Sequence, residues 1–112
     1  MDDRTLLELA AKAAGYKVRW HEPWGCFVHT AVINITNPPT LAGQRHIWVP
    51  LDDGGDALRL AVDLNIAFRN MGHIMTAVGS GGQFNEYADG DAYAATRRAI
   101  TRAAAEIGRA MP

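Results

Sequence analysis

A chain of 112 residues with 48% apolar and 21% charged side chains has the size and balance of one globular domain, here 1–112. Its formal net charge of −1 gives no overall pull toward nucleic acid or anionic membrane, and a single cysteine, Cys26, excludes an intramolecular disulfide framework. The acidic start Met1-Asp2-Asp3 is unlike the basic leader of a signal peptide and no apolar run reaches membrane-spanning length, so the expected compartment is the cytoplasm.

The first predicted element is a helix capped by Asp2 or Asp3, with Leu6, Leu9, Ala10 and Ala13 at helical spacing and Gly15 at its left-handed end. Tyr16 to Glu22 alternates Tyr16, Val18 and Trp20 against Lys17, Arg19 and His21, the period of a half-buried strand. Pro23-Trp24-Gly25 marks a turn, and Cys26 to Ile35 is rich in β-branched and aromatic residues, which completes a hairpin. Thr36 to Arg45 reads as an irregular loop, and His46 to Val49 as a short extended piece. A second helix follows, capped by Asp53, with Leu58, Leu60, Ala61, Val62 and Leu64 as its apolar face. Ile66–Phe68, His73–Val78 and Gln83–Tyr87 are strand-like, the last two joined by Gly79-Ser80-Gly81-Gly82. Asp89-Gly90-Asp91 caps a third helix from about Ala92 to Ala110, with Tyr93, Thr96, Ile100, Ala103 and Ile107 as its buried stripe. The order α-β-β-α-β-β-α, with an extra short strand near Trp48, predicts an α+β sandwich: a mostly antiparallel sheet packed by three helices.

The run from Trp48-Val49-Pro50-Leu51 through Asp52-Asp53-Gly54-Gly55-Asp56 to Ala57-Leu58-Arg59-Leu60-Ala61-Val62 resembles the signature of the phage α-β-α sandwich domain family. The opening helix leading into Tyr16-Lys17-Val18-Arg19-Trp20 and the ending Arg98 to Gly108 are also similar to that family, so the likeness covers nearly the whole chain. Asp52 stands where threonine is common, and Gly54 where aspartate is common; both leave the capping logic intact. The resemblance implies a phage or prophage origin, a sandwich fold and no particular activity.

Each candidate chemistry has a plainer structural explanation beside it. Asp52, Asp53 and Asp56 lack the alternating spacing and closing glutamate of a calcium loop, and helix capping accounts for them. Cys26 and His29 point to opposite faces of a strand, so neither a zinc site with His21, His46 or His73 nor a cysteine–histidine pair is expected. The glycine run leads into a strand and lacks a following lysine, so it reads as a hairpin turn and not as a phosphate loop. No catalytic residue, metal ligand or cofactor is therefore expected.

Two clusters remain as candidate partner sites. Arg98, Arg102 and Arg109 lie along one stripe of the third helix with Arg97 beside it, suited to phosphates or to an acidic surface, though solvated arginines also favour a helix C-terminus. Trp24, Arg45, His46 and Trp48 gather near the loops, where a tryptophan beside a cation can stack on a base or anchor a side chain, with Trp24 the one expected to be exposed. The expected function is that of a small phage accessory protein acting by binding, a counter-defence inhibitor that occupies a host defence protein or sequesters a nucleotide signal. The alternative is a nucleic-acid-binding accessory of phage DNA metabolism, and an enzyme using His and Asp from separate loops is a third reading. The alanines of the third helix suggest, finally, a homodimer through a second alanine face that includes Ala104.

Overall fold

The computed structural model describes residues 1–30 and 47–112. Arg45, His46, the loop from Thr36 to Arg45 and the second half of the Cys26–Ile35 segment lie outside the described residues. The elements are α1 (Asp3–Ala14), β1 (Val18–His21), β2 (Cys26–His29), β3 (Ile47–Trp48), α2 (Gly54–Asp63), β4 (Ala67–Asn70), β5 (Ile74–Gly79), β6 (Gly82–Tyr87) and α3 (Ala92–Ala110). The chain is thus the expected α+β fold, and every strand pair among the described residues is antiparallel. The described strands form two sheets, β1-β2-β3 and β4-β5-β6.

Local chemistry sets the boundaries. Asp2 accepts the Thr5 N–H at 2.7 Å, Asp53 accepts the Asp56 N–H at 2.8 Å and Asp91 accepts the Ala94 N–H at 3.0 Å, so an aspartate caps each described helix. Gly15 ends α1 with φ 75, the left-handed value that glycine adopts without a Cβ penalty. The run from Gly79 to Gly82 closes the β5–β6 hairpin against α3: a Cβ on Gly81 would lie 3.0 Å from the Glu106 side chain. Close approach of the turn to α3 explains the glycines without a phosphate.

The long helix α3 packs on β4, β5 and β6 and also on α1 and α2. Its alanines Ala99, Ala103, Ala104 and Ala105 are buried, as are Ala10 and Ala11 of α1. Small side chains let α1 and α3 approach closely. Asp3 pairs with Arg98, Leu9 abuts Gly108, and Lys12 Nζ donates to the Met111 carbonyl at 3.0 Å, so the two helices run in the same direction. The alanine face expected to meet a second copy is corrected here, because Ala104 is 0% exposed within the chain's own core. Among the described residues, no helix is long and apolar enough to cross a membrane.

Two helix faces differ from expectation. Along α2, Ala57, Leu60 and Ala61 are buried while Leu58 and Val62 are exposed. The i, i+3, i+4 spacing places the first three on one stripe, and Leu58 and Val62, four apart, form a second stripe that turns away from it. In α3, Tyr93 is exposed although Thr96, Ile100 and Ala103 follow the predicted stripe inward.

Candidate binding groove

The arginines of α3 serve their own chain. Arg97 Nε donates to the Leu51 carbonyl at 2.9 Å, tying α3 to the turn before α2. Arg98 Nη2 donates to both carboxylate oxygens of Asp3 at 3.1 Å, and Arg102 donates to Glu86 while its guanidinium lies 5.1 Å from the Phe84 ring centroid. Arg109 pairs with Glu106 one turn earlier. The predicted site residues Arg98 and Arg102 thus stand at the surface with their charges already met. They staple α3 to α1 and to β6.

The loop aromatics separate. Trp48 is 1% exposed and packs edge-on against Tyr16, ring centroids 5.8 Å apart, so a partner cannot reach it. Its place in β3 opposite Phe27 carries the ring into the core, which corrects its assignment to the partner site. Trp24 is 55% exposed in the β1–β2 turn, where Gly25 takes φ 64, and its ring lies 4.3 Å from that of His21. Trp24, Trp48, Arg98 and Arg102 do not converge on one concavity: Arg98 and Arg102 share the hollow beside Phe84, Arg98 also lines the hollow beside Trp20, and neither tryptophan lines either one.

The acidic cluster is structural. Asp53 caps α2, and Asp56 accepts the Val49 N–H at 2.9 Å and an Arg59 hydrogen bond at 2.7 Å, so each carboxylate addresses a different donor. Among the described residues no group of three His, Cys, Asp or Glu side chains is arranged to hold a metal. Cys26 pairs across the hairpin with His21, but burial pushes its thiol pKa up, opposite to what an activated thiolate requires. His29 packs edge-on against Tyr16, ring centroids 5.6 Å apart.

A concavity more apolar than the hollows beside Trp20 and Phe84 lies elsewhere, between the start of α2, the start of α3 and β4. This groove of about 560 Å³ is walled by Leu58 of α2, Phe68 of β4 and Tyr93 of α3, with Met75 and Ile100 at the protein side. Leu58 is 51% exposed, Phe68 46% and Tyr93 81%, so three large apolar or aromatic side chains meet water around one depression. Arg69 and Arg97 also stand in its wall, and no carboxylate does. By contrast, the hollow of about 330 Å³ beside Trp20 carries the Asp3–Arg98 ion pair in its own wall.

Sequence reasoning missed this groove. Its signal was an excess of apolar residues on α2: one buried stripe uses Ala57, Leu60 and Ala61, which leaves Leu58 and Val62 without an internal role. Compared with protein-family models, curated proteins and solved structures, the chain matches none.

Proposed function

We propose that this protein works by binding another protein, and that the groove between α2, α3 and β4 is where the partner sits. The observation that carries the reading is the exposure of Leu58, Phe68 and Tyr93 around one concavity. Burying such a surface in a partner gains roughly 25 cal/mol per Å² of apolar area removed from water, and aromatic anchors seated in pockets dominate binding energies. The resemblance to the phage α-β-α sandwich domain family suggests only the setting, the cytoplasm of a bacterial host, and in that setting the binding role proposed is that of a counter-defence inhibitor acting on a host defence protein. A protein surface fits better than a nucleotide signal, because the groove runs beside a sheet edge left open among the described residues, which a nucleotide does not use. Nucleic-acid binding through α3 has less support, since Arg98, Arg102 and Arg109 hold carboxylates of their own chain.

The test is relief of restriction. This chain is produced in bacteria whose defence systems block a sensitive phage, beside a Leu58→Asp/Phe68→Asp variant checked for wild-type melting temperature. The phage plates efficiently with the wild type and stays restricted with the variant. Relief that persists in the variant moves the site away from the groove, and no relief in any defended strain contradicts the counter-defence role.

A further inference from the structure

We infer that the partner presents an extended segment with alternating acidic and apolar residues, which adds to β4 as a fourth strand of the β4-β5-β6 sheet. The inference rests on the binding reading of the groove and names what fills it. Its first support is the main chain. Among the described residues β4 is an edge strand, and all four of its residues are exposed. Just beyond it the Met71 N–H donates to the Ile74 carbonyl at 2.9 Å, which fixes the phase of the ladder. In an antiparallel pair, the residues that exchange hydrogen bonds alternate with those that do not. Ala67, opposite Val78, and Arg69, opposite Thr76, therefore turn their main-chain groups toward β5. Phe68 and Asn70 turn theirs to the open edge. Edges left free of proline and lysine invite a further strand, and β4 has neither.

The side chains then specify the pattern. Successive residues of a strand face opposite sides of the sheet, so Phe68 and Arg69 present an apolar and a cationic neighbour on the two faces of one edge. A strand laid beside β4 meets Phe68, and Leu58 across the groove, with one set of side chains. Its other set meets Arg69. The charge of Arg69 is uncompensated among the described residues, its Nε donating only to the neutral Met71 Sδ at 2.9 Å. Arg97, in the groove wall, donates to a carbonyl and holds no carboxylate there. The nearest caps, Asp53 and Asp91, are engaged by the Asp56 and Ala94 N–H groups and do not line the groove. Arg69, with no facing acid among the described residues, selects acidic side chains in the set that meets it.

The experiment uses an N-acetylated peptide alternating valine and glutamate, about eight residues long, the span of an ordinary strand. A valine–lysine peptide of the same length is the control, and binding is followed by calorimetry. The acidic peptide binds roughly tenfold or more tighter than the basic one and loosens as salt is raised. Asn70→Pro removes an outward N–H at an edge position and leaves the β5 ladder intact. It weakens binding up to about tenfold, the equivalent of one main-chain hydrogen bond, while Asn70→Ala retains affinity. Phe68→Ala weakens binding as well. If Asn70→Pro binds as tightly as Asn70→Ala while Phe68→Ala does not bind, strand addition is overturned and the groove reading stands. Equal binding of the two peptides, or binding of neither, also overturns the inference, and the restriction assay then judges the groove alone.

Discussion

Gly108 of α3 lies so close to Leu9 of α1 that a Cβ built on it would meet the Leu9 carbonyl oxygen at 1.9 Å. The clash is with main chain, so no rotamer relieves it. Gly108→Ala is predicted to lower stability by about 1–3 kcal/mol through overpacking, more than the roughly 1 kcal/mol that alanine returns in helix propensity. Gly54→Ala, at a glycine with nothing within 4 Å of the added Cβ, is the control and leaves the urea midpoint near wild type. Ala104→Glu, in the core cluster, places a charge where the native residue is 0% exposed and should unfold the chain, not dissociate a dimer. Equilibrium denaturation followed by circular dichroism checks all three.

Asp56 joins the chain before α2 to the helix itself, through the Val49 N–H and Arg59. Asp56→Ala leaves a partly buried donor without its acceptor and is expected to cost about 1–3 kcal/mol. Asp53→Ala removes one cap and costs about 1 kcal/mol. A chelator should leave the melting temperature of the wild type unchanged. If chelation lowers it and spares the Asp53→Ala variant, the cluster holds a metal and the capping account fails.

How much of this was legible in the sequence follows from the range of each interaction. Caps are local, so Asp2, Asp53, Asp91 and Gly15 were readable from their spacing to the residues that follow. The hairpin β5–β6 and the full length of α3 were readable for the same reason. The ion pairs of Arg98 with Asp3 and of Arg102 with Glu86 join residues far apart in the chain, and nothing local announces them. The arginines therefore looked free. The parallel approach of α1 and α3 consumed the alanine face offered to a second copy. Leu58 and Val62 were counted as core because a single apolar face was assumed for α2, where two apolar stripes exist.

Tyr16, just before β1, makes an alkaline test of the packing of this segment against α2. Its hydroxyl donates to Asp63, and burial, then that hydrogen bond and the aspartate charge, hold the phenol pKa well above its ordinary value of about 10. A raised folded-state pKa means that the native state keeps its proton where the unfolded chain has lost it. The contribution is thus fully present below about pH 10 and is lost as pH rises above it. Stability measured by urea unfolding should fall from pH 10 to pH 11 in the wild type, and Tyr16→Phe should flatten that slope. An unchanged slope in Tyr16→Phe would assign the alkaline loss to other groups.

The two tryptophans at opposite extremes of exposure predict opposite mutational costs. Trp48→Ala empties a core position and should cost about 3–5 kcal/mol. Trp24→Ala, at an exposed turn, should change stability by no more than about 0.5 kcal/mol. Acrylamide should quench the fluorescence of a Trp48-only variant weakly and that of a Trp24-only variant strongly.

The most direct measurement of the central claim is a map of amide chemical-shift changes in the ¹⁵N-labelled chain as the valine–glutamate peptide is added. The account predicts that the largest changes fall on Leu58, Phe68, Arg69, Asn70 and the first turn of α3 around Tyr93, the residues that border the groove and the free edge. Changes centred instead on Trp24, or on Arg98 and Arg102, would contradict it and move the binding surface away from the groove.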